Sequence, residues 1–179
     1  MPIKSTPQRY GAVPIAIHWI TALAVLGLLL SGFRAADMAD EAAKVAILRI
    51  HTAVGLSVLL LTFARILWWL AIDRKPAYPA GQPRGQQIAS AAVHGLLYLA
   101  LLLMAGSGIA MMALSGAGDI VWGNAVAPLP DFRQFPPRAA HGLGAFLLIL
   151  LTLFHVAAAF YHQLVLRDRL LARMGIGRP

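Results

Sequence analysis

The 179-residue chain is 59% hydrophobic and 12% charged, with a mean hydropathy of +0.72, whereas soluble domains are roughly 45–50% apolar and roughly 25% charged. A net charge of +8 without a single cysteine excludes structural disulfides, thiolate-held iron–sulfur clusters and haem attachment through C-x-x-C-H. The basic residues sit in short segments between long apolar runs, the distribution of a polytopic membrane protein, and on that ground nucleic-acid binding is set aside.

Residues 1–10 are polar and include Lys4 and Arg9. A first membrane helix is predicted over about 12–33. It is longer than the roughly 7–15 apolar residues of a secretory signal core and is expected to be retained. Pro14 is tolerated in its first turn, and His18 follows one turn later. The first loop holds Asp37, Asp40 and Glu41. A second helix is predicted over about 45–72, with Arg49 and His51 near its start and Arg65 near its end. Pro76, Pro79 and Pro83 mark an irregular loop. The third helix, about 87–114, is uncharged and carries His94 two turns in, then Ala105, Gly106, Ser107 and Gly108, small residues that let a neighbouring helix or a flat ligand approach, packing being the simpler role. The next connection mixes Trp122, Phe132 and Phe135 with Pro128, Pro130, Pro136 and Pro137, as expected at the membrane interface. A fourth helix is predicted over about 138–166, and the tail 167–179, with Arg167, Arg169, Arg173 and Arg178, as a short amphipathic interfacial helix.

Nine Lys and Arg lie in the N-terminus, second loop and tail, against four in the first and third loops. The positive-inside rule then places both termini in the cytoplasm. The fold class expected is an all-α membrane protein, one four-transmembrane-helix bundle spanning 1–179. No internal repeat is evident beyond a shared histidine spacing.

That spacing organises the functional reading. His141 and His155 are fourteen residues apart in an uncharged helix, so both imidazoles fall within about 40° of one face and about 21 Å apart along it. His51 and Arg65 have the same spacing on the second helix. A histidine in a bilayer helix is costly and marks a functional site. With helix directions alternating, His51 and His141 lie toward one side and His18 and His155 toward the other, giving two imidazole layers. Neutral imidazole is a good axial ligand, and two on facing helices clamp a porphyrin within a bundle. The pattern points to two b-type haems stacked across the membrane. A lone histidine would more simply bond a carbonyl in helix packing. Zinc would want three or four converging ligands, often carboxylates, and the predicted membrane stretches contain no Asp or Glu. Depth alone leaves His94 open as a partner of His18 or His155.

Four segments in order, IAIHWITAL (15–23), LRIHTAVGLSVLLLTFARILW (48–68), AAVHGLLYLALLLMAGSG (91–108) and AAHGLGAFLLILLTLFHVAAAFYHQLVLRDRLLARM (139–174), resemble the bacterial cytochrome b561 family over essentially the whole chain. The resemblance implies a multi-pass protein of the bacterial inner membrane with two haems b. It implies that His18 and His155 ligate the cytoplasmic-side haem iron, and His51 and His141 the periplasmic-side one. It also implies electron transfer from a periplasmic one-electron donor, superoxide or another small redox donor, to membrane ubiquinone, as in a superoxide:ubiquinone oxidoreductase. No catalytic residue is assigned.

Arg65, His94 and His162 are candidates to surround a haem propionate or a quinone head group, because a quinone carbonyl needs a donor and, on reduction, a proton source. Gly55, Gly142 and Gly144, within a turn of His51 and His141, are candidates to leave room for a flat macrocycle. Trp19, Trp68 and Trp69 read as interface anchors. Lys44, Arg49, Arg133 and Arg138 are candidates to attract an anion such as superoxide. The alternative function is a haem b membrane-anchor subunit passing electrons between quinone and a partner dehydrogenase or hydrogenase; a haem-free cation transporter is a third.

Overall fold

Hydrocarbon offers no partner to a peptide group, so a long uncharged run must satisfy its own backbone and becomes a helix. The computed structural model describes residues 2–123 and 125–177; Arg178 of the basic tail lies outside them. Its helices are α1 (Ala12–Asp37), α2 (Glu41–Leu67), α3 (Arg84–Leu114), α4 (Ala117–Val121), α5 (Pro136–Tyr161) and α6 (Leu170–Arg173). α2 and α5 each continue through a π-helical turn, Trp68–Ile72 and His162–Leu166. Among the described residues, four helices are long and apolar enough to cross a membrane: α1, α2 with its π turn, α3, and α5 with its π turn.

The helices overrun the expected limits because a charge marks where a helix leaves hydrocarbon, not where it ends. α2 starts at Glu41, four residues before the predicted position, since Asp40 caps it by accepting from the Ala43 amide at 3.0 Å. Glu41 then complements the positive end of the helix dipole. α5 opens on Pro136 and Pro137, where no amide donor is needed. α3 stops at Gly116, whose φ of 70° is the left-handed conformation glycine adopts freely. The tail departs from expectation. Arg167 and Arg169 are both left-handed, with φ of 54° and 56°, and only the four residues of α6 are helical.

The spans pair as two antiparallel hairpins, α1 with α2 and α3 with α5, joined chiefly through α2 against α3. Each contributes one residue to the central core: Val25, Val58, Ala100 and Leu148. Large side chains on the outer faces stay uncovered, Leu23 at 68%, Leu30 at 73% and Phe154 at 68%. Such a surface is stable against lipid, and the chain is a multi-pass membrane protein.

Both ends are closed by side-chain ties to backbone and carboxylate. At the end carrying the termini, the near end, Ser5 donates to Asp73 from its amide (2.9 Å) and hydroxyl (2.8 Å). Trp68 donates to the same carboxylate at 3.1 Å, and the Trp19 indole donates to the Met174 carbonyl at 3.0 Å. These tryptophans therefore anchor segments of the chain as well as lying at helix ends. At the far end, α4 folds in with Ala117 and Val121 fully buried. Arg49 Nε donates to the Val121 carbonyl at 2.7 Å, and the Trp122 indole donates to Thr52 Oγ1 at 3.0 Å.

Candidate functional site: two layers of imidazole

In the far layer, His51 on α2 and His141 on α5 face each other with ring centroids 6.3 Å apart and planes at 64°. Each is seated by a Ser-Gly pair on the preceding span of its own hairpin. Ser31 Oγ lies 2.9 Å from His51 Nδ1, and Ser107 Oγ lies 3.0 Å from His141 Nδ1. Both hydroxyls give their one proton to a carbonyl a turn back, Leu28 and Met104, each at 3.1 Å. The serine oxygen can then only accept, so Nδ1–H donates to it and the Nε2 lone pair is left for a metal. The glycines let the rings come close: a Cβ at Gly32 would lie 3.3 Å from His51 Cε1, and one at Gly108 3.4 Å from His141 Cε1.

In the near layer, His18 on α1 and His155 on α5 have centroids 6.0 Å apart and planes at 65°. His94 on α3 is closer still to His155, at 5.2 Å. Its Nδ1 donates to the Ser90 carbonyl at 2.6 Å. Arg65 reaches in from α2, with Nη1 3.4 Å from His18 Nδ1 and its guanidinium 5.8 Å from the Tyr98 ring centroid. Arg65 Nε is buried without an acceptor, an orphaned donor of a cation inside a membrane protein, where charges are expensive unless paired.

Metal–imidazole bonds of about 2 Å place the ring centroids of two trans imidazoles roughly 6 Å apart. His51/His141 and His18/His155 stand at that separation; His94/His155, at 5.2 Å, is too close for an ion held in trans between them. The residues present therefore fit a bis-imidazole haem in each layer, and the orphaned Arg65 donor fits an anionic group beside the near one. Core residues Val58 and Leu148 lie seven positions after His51 and His141, so the apolar core fills the midplane between layers about 21 Å apart.

Sequence reasoning missed Ser31 and Gly32, and read Ser107 and Gly108 as small residues for close approach, not as partners of His141. A signal was present, because His18 precedes Ser31-Gly32 by thirteen residues and His94 precedes Ser107-Gly108 by thirteen. With the fourteen-residue spacings of His51 to Arg65 and His141 to His155, the two hairpins correspond position by position. Of the glycines singled out, a Cβ at Gly144 would meet Met104 Sδ at 2.7 Å, a close helix approach, and one at Gly55 would make ordinary contact with Leu28 at 3.9 Å. Gly142 lies beside Arg138, not beside a ring. His162 turns to Asp168, 2.5 Å from Nδ1 to the carboxylate, while Arg65 turns to His18 and His94 to His155. Arg49 is held by the Val121 carbonyl.

The family model described as prokaryotic cytochrome b561 matches residues 9–177. The chain is 35% identical to cytochrome b562 of Cereibacter sphaeroides over 92% of its own length and 94% of that protein's. It is 26% identical to cytochrome b561 homolog 2 of Escherichia coli over 97% of its length and 95% of the relative's. Homolog 1 of the same species is also 26% identical, over 93% and 97%. No solved structure matches. Four apolar spans holding paired imidazoles, matched from Arg9 to Gly177, make this chain a member of the prokaryotic cytochrome b561 family of haem b transmembrane electron carriers.

Proposed function

We propose that the protein carries electrons through two haems b, one held by His51 and His141 and the other by His18 and His155. The observation that carries this reading is the matched spacing of the two imidazole pairs, 6.3 and 6.0 Å between ring centroids. When bound, each haem supplies a one-electron iron couple; two imidazoles leave its iron no open position, which suits electron transfer by contact alone. The Ser31 and Ser107 hydroxyls orient the far-layer rings and fix their tautomer. Arg65 is the residue for a propionate. Turning toward that anion, its guanidinium would leave His18 Nδ1 free to carry a proton, the tautomer that the far layer already has.

By charge distribution the near end faces the cytoplasm and the far end the periplasm of a bacterial inner membrane. The donor is a small periplasmic reductant, superoxide by resemblance, drawn toward a far end where Lys44, Arg133 and Arg138 are cationic. The acceptor is ubiquinone at the near layer. There His94 Nε2 is free because Nδ1 is spent on Ser90, and His162, polarised by Asp168, is placed to pass on a proton.

The test is a reduced-minus-oxidised spectrum with haem quantification, repeated for His141→Ala and His155→Ala. Each substitution should remove a different haem; loss of the same one in both would sink the layered assignment. Purified protein that reduces ubiquinone with superoxide unaided would separate this reading from an anchor subunit, which would show strict dependence on a partner.

A further inference from the structure

At the near end, residues 7–9, 77–80 and 168–173 converge on an open cleft of about 540 Å³. These segments are far apart in sequence but tied together. The Ala77 amide donates to the Pro7 carbonyl at 3.1 Å, and the Tyr10 amide to the Arg173 carbonyl at 3.2 Å. Arg173 donates from Nε to the Gln8 carbonyl at 2.9 Å and from Nη2 to the Ala77 carbonyl at 2.5 Å. Arg9, Arg169 and Arg173 line the cleft together with Tyr78. Arg9 Nε is buried with no acceptor, so a charged group's donor has lost water without gaining a partner.

Among the described residues, Asp168 and Asp73 at this end both accept hydrogen bonds. Asp168 accepts from His162 and from the Leu170 amide at 3.2 Å, and Asp73 accepts from Ser5, Trp68 and the Arg74 amide. The cleft lies where α1 begins and the last π turn ends, at the level where hydrocarbon gives way to headgroups. Leu164 and Val165, on the turn leading to it, are 66% and 63% exposed, an apolar path for an acyl chain.

We propose that this cleft binds the phosphodiester of an anionic phospholipid, toward which Arg9 would turn its guanidinium and so relieve its orphaned Nε. Planar guanidinium groups match phosphate oxygens, and basic pockets at the ends of membrane helices suit anionic headgroups. A seated lipid would tie the N-terminal segment, second loop and tail together over the near layer.

Native mass spectrometry of the detergent-solubilised holoprotein, titrated with phosphatidylglycerol or phosphatidylcholine, tests this. Phosphatidylglycerol should be retained preferentially. Arg9→Gln should weaken it about fivefold, and Arg9→Gln with Arg169→Gln about 25-fold, whereas Arg34→Gln at the far end should change nothing. Equal retention of the two lipids, or equal phosphatidylglycerol retention by wild type and the double variant, overturns the proposal. So does thermal stabilisation by inorganic phosphate, at matched ionic strength, as large as that by the lipid, which would make the site one for free phosphate. If Arg9→Gln elutes aggregated, Arg9→Lys, which keeps the charge, and Arg169→Gln alone carry the comparison.

Discussion

In the first hairpin Ser31 and Gly32 seat His51, and in the second Ser107 and Gly108 seat His141, with hydrogen bonds of 2.9 and 3.0 Å and glycine approaches of 3.3 and 3.4 Å. One layer down the correspondence holds in position but fails in chemistry. His18 and His94 are counterparts, each thirteen residues before its Ser-Gly pair, but the position fourteen after the seated histidine is Arg65 in one hairpin and His155 in the other. The far layer is two copies of one design. The near layer has an arginine where the repeat would put an imidazole, which makes the two layers electrostatically unlike and leaves His94 and His18 both beside His155. A bundle that repeats its packing can thus still be directional, because a single substitution on the repeated frame alters the field around one site and not the other.

The largest effect should come from breaking the near layer's own ambiguity. His18→Ala should abolish one haem, roughly halving the haem content, while His94→Ala should keep both and only perturb the near-layer spectrum, because a ring 5.2 Å from His155 cannot share an ion with it in trans. Haem quantification on the two purified variants measures this. The reverse outcome would exchange the roles of His18 and His94. Next in size is the far layer's symmetry. Ser31→Ala and Ser107→Ala each remove the acceptor of an Nδ1–H, and losing the hydrogen bond behind a ligating ring costs about 10–100-fold in metal affinity. The two variants should lose far-layer haem to a similar degree when challenged with a haem scavenger; a large inequality would show that the hairpins are not equivalent there.

What could be read from the residues divides along the same line. Helix number, order and the two depths of histidine were legible, since uncharged runs of some twenty residues have one outcome in a bilayer and fourteen residues of helix is four turns with little angular drift. Ser31 and Ser107 were not, because a hydroxyl in an apolar helix ordinarily bonds the carbonyl a turn back. These two do so as well, and their second bond appears only once α1 lies against α2 and α3 against α5. The π turns at Trp68–Ile72 and His162–Leu166, and the left-handed Arg167 and Arg169, leave no periodic mark. The near-end tail therefore read as a plain amphipathic helix, and the pairing of His162 with Asp168 was invisible.

Arg65 sharpens the comparison in a measurable quantity. Adding an electron to a haem is favoured by a nearby positive charge, so Arg65→Gln should lower the near-layer midpoint potential by roughly 50–100 mV, taking a separation of about 8 Å and an effective dielectric of about 20. The far-layer potential should move much less. Redox titration followed by optical spectra resolves the two, and equal shifts in both layers would mean that Arg65 acts through the whole fold instead of through its own site.

The smallest effect lies at the ends of the bundle, where the closures differ in kind. The far-end ties from Arg49 to the Val121 carbonyl and from Trp122 to Thr52 need no carboxylate, although Glu41 there accepts from the Leu129 amide. At the near end Asp73 gathers the N-terminal segment, the π turn of α2 and the second loop. Burial pushes that carboxyl up from its ordinary 3.8, but hydrogen bonds from the Ser5 amide and hydroxyl, the Arg74 amide and the Trp68 indole outweigh it and hold the group lower. A carboxyl held low when folded adds stability that is fully present above its unfolded value and is lost as pH falls through the folded one. From neutral pH down to that ordinary value the tie therefore holds, and it is released only as pH falls below it, through the lowered folded value. Hydrogen exchange should show the Ser5 and Arg74 amides losing protection on that acid limb while the Trp122 amide, bonded to the Gly118 carbonyl at 2.9 Å, keeps its own. Asp73→Asn should show the unprotected pattern at every pH, and a variant that still titrated would place the acid-sensitive group elsewhere in the near-end closure.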